Sequence, residues 1–465
     1  MRSFWIVTTL ACAAILAGCE VVRDARSAQR YCAAWGSAPA ADNARPGAFA
    51  LPDLVAFALT NRPSMFVRRL AVDDAHLALR SIAADAPLVS DQPWWTAVDA
   101  SASFGHSESS RGAHRRLHGR TDGNAAGALS LDILVYDFGR NAAAAREQAE
   151  NVIAAEQQLL DEGYAVFEEV ADAYFTLLCS EDLLDVARAQ VESCAARLKQ
   201  AEDRLAAGEA QSLDVLRARL DLTQAQEDVV AEQNDVATAR ADLAVALGTD
   251  ADAIPDLRAA RPAPEGVFAA TDASAAATTE LALTNTPTMA VARAKLRAAS
   301  ARVDAAVADL KPNVSASLSL RWADPLWYWN WGVDAAQSLF TGWRRTTAVD
   351  RAVVQMESAA FEVDAAAQTL AHAIELAVAE RDNAREACTT AEASVAQAKE
   401  NFETVAEQYR LGEASRVDYT DAISSYAAAQ GSRVRAFYRG QIAESKLFRL
   451  TGRLPVWGPD SEEAL

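Results

Sequence analysis

Proline and aromatic residues are scarce in this sequence. Its 465 residues include 14 prolines, and aromatic side chains make up 7%. Because a proline inside a helix costs about 3 kcal/mol, the long windows without proline permit very long helices. Together with abundant alanine, this composition favours a mainly helical protein over a β-sandwich or a mixed α/β enzyme.

Long apolar runs are also absent beyond the N-terminal segment. No stretch of about 18 apolar residues occurs there, so the sequence predicts no transmembrane helix. A chain of this kind can cross a bilayer only as a closed β-barrel, since all backbone polar groups must be hydrogen-bonded in lipid. Nucleophile motifs, phosphate loops and dinucleotide fingerprints are missing as well, and we expect neither catalysis nor a cofactor.

Metal-binding patterns are weak. After the N-terminal segment the cysteines lack Cys-x-x-Cys spacing, which favours small helix residues or a chance disulfide. These cysteines are Cys32, Cys179, Cys194 and Cys388. His114 and His118 have the i, i+4 spacing of metal ligands, but they lie in an arginine-rich stretch, 105–127, that we interpret as a loop. We therefore predict no metal site, and contact of this loop with lipopolysaccharide phosphates is an alternative.

The charge balance is strongly acidic, with a formal net charge of −20. It becomes −21 when residues 1–18 are removed, because Arg2 is their single charged side chain. An acidic protein of this kind disfavours phosphate backbones, so we expect no nucleic-acid partner. The acidic residues fit either a cation-favouring lumen or an ordinary solvated helix surface.

Residues 1–18 form a short apolar segment that begins with Arg2 and ends in small residues. Its length and its ending predict a secretory signal peptide rather than a membrane span. Leu16 to Cys19 resemble the bacterial lipoprotein cleavage box, which implies that Cys19 becomes an acylated N-terminus. Several acyl chains hold a protein stably at a membrane, so residues 19–50 are predicted to be a lipid-anchored segment.

The same plan occurs twice along the chain. Residues 58–65 read ALTNRPSM and residues 282–289 read ALTNTPTM, and three later landmarks recur in the same order. This self-similarity indicates an internal duplication. We predict a first structural repeat at 51–254, a linker at 255–280, a second repeat at 281–454 and a C-terminal tail at 455–465.

A β-hairpin is predicted in each half. Apolar and polar residues alternate over 98–104 and 129–135 in the first half, and over 314–322 and 329–335 in the second. Alternation is the period of a strand with two different faces. The runs have about the length that a tilted membrane strand requires.

Long helices are predicted after both hairpins. Windows 140–207 and 343–411 lack proline and are almost free of glycine, which predicts helices of roughly 100 Å. In the first window apolar residues recur at spacings of four and three, as in a coiled-coil seam. The seam residues are Leu160, Tyr164, Phe167, Ala171, Tyr174 and Leu178. Gly208 and Gly412 can supply the left-handed caps, after which shorter helices return.

Four strands per chain cannot close a membrane barrel, because the smallest single-chain barrels have about eight. If these strands lie in lipid, several copies must therefore combine. Three copies would supply twelve strands, and this reasoning alone also permits two or four.

These motifs resemble those of TolC-type outer-membrane efflux proteins, especially the lipoprotein branch with OprM and NodT-like factors. The resemblance covers nearly all of 51–454 and rests on 51–59 (LPDLVAFAL), 138–140 (FGR), 340–342 (FTG) and the two Gly-Glu tips. It implies a mainly α fold with a membrane β-barrel, four strands per chain and twelve in a homotrimer. It also implies a long α-helical barrel that docks to a periplasmic adaptor and an inner-membrane pump.

The resemblance also implies site residues. The family's adaptor-contact motif matches the helix tips, which could alternatively only cap and turn the helices. The matching residues are Arg204, Leu205, Ala207, Gly208, Tyr409, Arg410, Leu411 and Gly412. The constriction of the lipoprotein branch matches Val417 and Asp421, with Asp418 and Asp214 as further candidates. A ring of carboxylates would act as a cation filter and a pH-sensitive latch, unless these are ordinary solvated acids.

Aromatic residues at strand ends indicate membrane-interface anchors, with plain packing as the alternative. They are Trp94, Trp95, Trp327, Tyr328, Trp329 and Trp331. Together with the predicted lipid anchor, the resemblance implies a passive, lipid-anchored exit duct of the outer membrane that extends into the periplasm. One rival is a periplasmic coiled-coil lipoprotein without a pore, which leaves the two hairpins unexplained. Another is the periplasmic adaptor itself, which would need β-rich lipoyl halves.

Overall fold

The computed structural model describes most of the chain between residues 51 and 452. The described ranges are 51–84, 97–106, 123–208, 211–250, 275–323, 326–338, 340–411 and 413–452. The predicted signal peptide, most of the linker and the tail lie outside these ranges. So do Cys19, Cys32, Trp94, Trp95, His114, His118 and Gly412.

One order of elements occurs twice within the described residues: two short helices, a β-hairpin, a long helix and a return helix. The first copy comprises α1 (Leu51–Asn61), α2 (Pro63–Ala84), β1 (Ala97–His106), β2 (Gly123–Tyr136), α3 (Arg140–Ala206) and α4 (Ser212–Leu247). The second comprises α5 (Ala275–Asn285), α6 (Pro287–Ala308), β3 (Asn313–Ala323), β4 (Leu326–Ala336), α7 (Arg344–Leu411) and α8 (Arg416–Thr451).

The two long helices match the windows predicted from the sequence. Helix α3 has 67 residues and α7 has 68, which at 1.5 Å per residue makes each about 100 Å long. Both return helices end at a glycine in the left-handed conformation, Gly248 and Gly452. A Cβ on Gly452 would lie 3.0 Å from the backbone oxygen of Asn285, so this position requires glycine for space as well as for φ.

The helices form one layer in which each long helix has several neighbours. In the half next to the hairpins the neighbours run α2, α3, α6, α7, and in the half next to the helix tips they run α4, α3, α8, α7. Ion pairs join α3 to α6, among them Glu147 with Arg302 at 2.5 Å and Glu150 with Arg297 at 2.8 Å. One lateral edge of the layer is therefore formed by α2 and α4, and the opposite edge is formed by α7.

The core follows the predicted seam of α3 over most of its length. Phe167, Ala171, Tyr174 and Leu178 are buried. Burial, with a contribution from the nearby Glu181 charge, raises the pKa of Tyr174 to about 12. The Tyr164 hydroxyl donates to the Gly452 carbonyl at 2.8 Å, and burial raises the pKa of this phenol. The seam prediction was wrong at its first position, Leu160, which is 36% exposed. In this part of α3 the buried residues are Val152, Ala154 and Gly163 instead.

An ion pair with a buried carboxylate occurs at the same place in both helical hairpins, with its polarity reversed. In the first hairpin Glu181 of the long helix faces Arg240 of the return helix, with 3.7 Å between Oε1 and Nη2. In the second, Arg385 of the long helix faces Glu444 of the return helix, with 2.7 Å between Nη2 and Oε1. Arg385 and Glu444 lie 204 positions after Glu181 and Arg240, and Gly452 lies 204 positions after Gly248. The two ion pairs are therefore at equivalent positions of the duplicated halves.

The four strands form one antiparallel sheet in the order β1, β2, β3, β4. Pairing of β2 with β3 places the two predicted hairpins side by side. The register shifts between Leu134 and Tyr136 of β2, which is a bulge next to the start of α3. Among the described helices, none combines the length and the apolar character of a membrane span.

Candidate functional site

One face of the sheet is apolar and exposed in the protomer. The register places Leu129 of β2 opposite Leu320 of β3, and Leu320 opposite Trp329 of β4. Residues in such a row share a face. Exposed fractions are 44% for Leu129, 65% for Trp329 and 71% for Trp331, the next residue on this face of β4. An exposed apolar surface of this extent indicates contact with lipid or protein.

The predicted aromatic anchors all belong to this strand or lie outside the described residues. Trp329 and Trp331 are exposed as described, and Trp327 and Tyr328 belong to β4, opposite Trp322 and Arg321 of β3. Their role at a membrane interface stays a prediction.

The opposite face of the sheet is polar. Ser130, Ser319 and Asn330 lie in one row, and the Ser319 hydroxyl donates to the Asn330 side-chain oxygen at 2.5 Å. Asp132 and Asp334 occupy the same face further along, each opposite a serine. A sheet with one apolar and one polar face separates an apolar phase from water.

Two strands of the sheet are edges. Among the described strands, β1 pairs only with β2, and β4 pairs only with β3. An edge in lipid leaves backbone groups without hydrogen bonds, at several kcal/mol each. In water, a long edge with an apolar face is a site of association with another chain.

The helix tips are closed by two equivalent turns. Gly208, in the first, is left-handed with φ +76°. Capping boxes begin both return helices: Asp214 accepts from the backbone of Gln211, and Asp418 exchanges hydrogen bonds with Ser415. Two of the predicted gate acids therefore cap helices as well. Sequence reasoning missed this role, although Ser415-x-x-Asp418 carries the signal of a capping box.

A contact between Arg204 and Tyr409 joins the two tips. The guanidinium donates to the Tyr409 hydroxyl at 3.3 Å, and its carbon lies 5.5 Å from the centre of the ring. Tyr409 stacks on Tyr419 with 4.9 Å between ring centres, and Phe402 stacks on both Tyr419 and Tyr426. The four rings form a stack between α7 and α8 that Arg204 of α3 extends across the hairpins.

The other predicted tip residues lie on the surface. Ala207, Gly208 and Asp421 are exposed, and the exposed fraction is 39% for Leu205, 61% for Leu411 and 60% for Val417. Arg410 donates to both carboxylate oxygens of Glu407, at 3.0 and 2.6 Å. These hydrogen bonds lower the pKa of Glu407 and raise that of Arg410. At these exposed positions the side chains can contact either a partner protein or water.

A cavity of about 180 Å³ separates the two tips behind the Arg204 contact. Its walls carry charges of both signs, from Arg197, Arg204, Asp214 and Asp221, together with Tyr409. Part of the space between the tips is therefore not filled by side chains.

Apolar side chains at helical spacing are exposed on the outer helices of the layer. Their exposed fractions range from 47% to 73%. On α2 they are Val67, Leu70 and Leu77; on α4 they are Leu213, Leu216 and Leu220; and on α7 they are Val354, Phe361 and Leu376. Val354 and Phe361 each follow a buried alanine by two positions, about 200° around the helix, so they face away from the protomer. The sequence analysis did not identify these stripes.

The described cysteines, Cys179, Cys194 and Cys388, are free thiols. Burial raises the pKa of all three, to about 11 for Cys179, which keeps them protonated and poorly nucleophilic. Within the described residues, no group of three or more His, Cys, Asp or Glu side chains could hold a metal ion.

The described residues thus combine a four-stranded sheet, apolar on one face and polar on the other, with two long helical hairpins. The chain belongs to the outer membrane efflux protein family, whose model matches residues 58–249 and 278–453. Members of this family are channels rather than enzymes. No curated protein sequence matches the chain.

Solved structures show the same fold. The outer membrane protein VceC from Vibrio cholerae is 20% identical, with 87% of this chain and 96% of that chain covered and a TM-score of 0.71. A membrane protein from Pseudomonas aeruginosa is 23% identical, with 86% and 93% covered and a TM-score of 0.73. CusC is 19% identical, with 87% and 92% covered and a TM-score of 0.75. The mainly helical fold with a four-stranded sheet, predicted from the sequence, is confirmed.

Proposed function

We propose that three copies of this chain form a passive exit duct in the outer membrane, docked to a periplasmic adaptor and an inner-membrane pump. The observation that carries the proposal is the sheet, with its exposed apolar face, its polar face and its two edge strands. In lipid both edges must be paired, so β4 of one copy would pair with β1 of the next.

The strand directions favour such a ring. Because neighbouring strands are antiparallel throughout, β4 runs opposite to β1, and a contact between them continues the same pairing. One contact repeated around an axis closes a ring. Two copies would give eight strands, a size whose interior is filled by side chains, whereas twelve strands leave more room for water. The polar face would line this lumen and the apolar face would meet lipid.

The outer helices support the same ring. The stripes on α2 and α4 lie on one side of the protomer and the stripe on α7 on the other, so one copy can cover its neighbour's exposed side chains. Phe361, at 73% exposed, is the largest of these side chains. Burying a phenylalanine contributes about 1.5–3 kcal/mol, and a ring of three repeats each such contact three times.

At the far end, we propose that the tips contact the adaptor through the residues that match the family's motif. These are Arg204, Leu205, Ala207, Gly208, Tyr409, Arg410, Leu411 and Gly412. Val417 and Asp421 would form the constriction, since both are exposed on the first turns of α8. Asp418 and Asp214 would contribute mainly by fixing the starts of α8 and α4, which they cap.

Anchoring and energy complete the proposal. Cys19 would carry acyl chains that hold the mature N-terminus in the outer membrane. Energy would come from the inner-membrane pump, with the duct opening as the tips separate. The Arg204 contact with Tyr409 is one side-chain link that such an opening has to break.

Conductance in planar lipid bilayers tests the proposal. Purified protein with acylated Cys19, confirmed by the mass of its N-terminal peptide, is expected to give discrete conductance steps. For comparison, the variant Phe361→Asp is expected to give few conductance steps at equal protein concentration, because it introduces a charge into the contact between copies. Silent bilayers with folded wild-type protein would refute the duct and favour a coiled-coil lipoprotein without a pore.

A further inference from the structure

The junctions between the sheet and the long helices carry exposed aromatic rings. At the second junction Phe340 is 77% exposed and Trp343 is 71% exposed, and their ring centres lie 6.3 Å apart. At the first, Tyr136 is 54% exposed and its ring centre lies 4.7 Å from that of Phe138. Large aromatic rings exposed in pairs at equivalent places of both repeats indicate a common partner outside the protomer.

The backbone holds two of these rings at a conformational cost. Phe138 and Trp343 are the non-glycine residues with positive φ in the described part of the chain, at +54° and +66°. Each lies next to a left-handed glycine, Gly139 or Gly342. Bulky side chains rarely adopt this conformation, and it persists where the surroundings favour it. Within the protomer the Trp343 carbonyl accepts from the Thr347 backbone N–H at 3.0 Å and from the Thr346 and Thr347 hydroxyls at 2.8 and 2.9 Å. These hydrogen bonds hold the backbone, whereas the ring stays mostly exposed and available to a partner.

Basic residues cluster at the same junctions, although the protein as a whole is acidic. Lys311 lies 5.9 Å from the Phe138 ring, Arg140 and Arg345 flank Asp309 at 3.5 and 3.4 Å, and Arg344 is exposed. Arginine begins both long helices, and neither first turn contains an acidic residue. Cations are unfavourable at that end of a helix. At the start of α3 the Asp137 carboxylate accepts from the backbone N–H groups of Gly139 and Asn141. At the start of α7, where Asp309 is shared between Arg140 and Arg345, a further anion beside the exposed Arg344 would be favourable.

The aromatic and basic residues of the junctions are continuous with the apolar face of the sheet. Because of the bulge in β2, Tyr136 pairs with Val314, which lies in the same face as Leu318 and Leu320. The apolar face therefore runs directly into the aromatic rings, and the basic residues follow one to three positions later in the chain or on the adjoining turn.

We propose that this collar, defined as Tyr136, Phe138, Lys311, Phe340, Trp343, Arg344 and Arg345, binds anionic phospholipid headgroups of the leaflet that faces the helices. The inference rests on the proposed function, since the apolar face must lie in lipid. The aromatic rings take the interface between acyl chains and headgroups, and the basic side chains pair with phosphate. The collar lies at the end of the sheet where the strands lead into the long helices, so the lipids it contacts belong to the leaflet on that side.

Lipid retention by the detergent-solubilised assembly tests this assignment. The protein is mixed with equal amounts of phosphatidylglycerol and phosphatidylcholine, and the lipids retained after washing are counted by native mass spectrometry. A basic residue at an anionic surface strengthens binding about fivefold, so wild-type protein is expected to prefer phosphatidylglycerol by at least that factor. Arg344→Gln with Arg345→Gln is expected to lower the preference at least threefold.

A control matched for residue type is Arg351→Gln, an exposed arginine about 10 Å further along α7. It is expected to leave the preference unchanged. Trp343→Gly removes the ring and accepts the positive φ, so it should lower lipid retention while leaving thermal stability in lipid-free detergent equal or higher. Equal retention of the two lipids by wild-type protein, or an equal loss in Arg351→Gln, would overturn the assignment. Conductance of the same samples separates this failure from failure of the duct.

Discussion

Reversing the charge of Glu444, the buried partner of the ion pair in the second hairpin, is expected to destabilise the helices strongly. Glu444→Arg places a second guanidinium where Arg385 now contacts a carboxylate at 2.7 Å, with side-chain exposures of 33% and 8%. At an effective dielectric constant of 20, unit charges 4 Å apart interact by about 4 kcal/mol. Arg385 can turn partly into water, so we expect a net loss of about 3 kcal/mol.

The double reversal, Arg385→Glu with Glu444→Arg, is expected to restore all but about 1 kcal/mol of that loss. The first hairpin supports this expectation, because Glu181 and Arg240 already have the reversed polarity at the equivalent positions. Equivalent helix pairs therefore accommodate either orientation.

Urea unfolding of the detergent-solubilised protein, followed by circular dichroism at 222 nm, measures all three variants and wild type. The coupling energy of the double-mutant cycle isolates the ion pair from other effects of each substitution. A double variant no more stable than Glu444→Arg alone would refute the reasoning, since restoring opposite charges would then have no effect.

Three further outcomes are expected. Tyr409→Phe removes the hydroxyl that accepts from Arg204 and keeps the stacked ring. Channel conductance in bilayers should therefore rise, with little change in the free energy of unfolding. Unchanged conductance would exclude this contact as a latch. Phe361→Asp should lower the trimer fraction at least tenfold in light scattering, while Glu362→Gln next to it should not; equal effects would show that the α7 stripe is not the contact. Burial raises the pKa of Glu232 despite the opposing charge of Arg435, so its carboxylate is disfavoured in the folded state. Glu232→Gln should therefore stabilise the protein at pH 7, with the gain vanishing below about pH 4.5, where the folded and unfolded states are both protonated; a gain that grows on acidification would contradict this sign.

Much of the fold could be predicted from the periodicity of apolar residues and from the positions of proline and glycine. Proline and glycine mark where the helices stop, so the predicted window 140–207 differs by one residue from α3. Alternation in the strands likewise identified both hairpins. These signals are local, because each residue reports only on its own element.

The remaining features depend on which elements become neighbours. The spacing of Leu160 fits the seam, but the helices that cover α3 change along its length, and this residue is exposed. The stripe with Phe361 and the charge reversal between Glu181 and Arg385 acquire meaning only when the two repeats lie side by side. A positive φ at Trp343 is a strained conformation that amino-acid type does not favour, so no local signal announces it.

Native mass spectrometry of the detergent-solubilised protein tests most directly whether one chain supplies only part of the wall of a duct. The account predicts a mass of three mature chains with their acyl groups, reached through the edge strands β1 and β4 and the outer helices. A single chain that remains stable at working concentration and still conducts ions would contradict it.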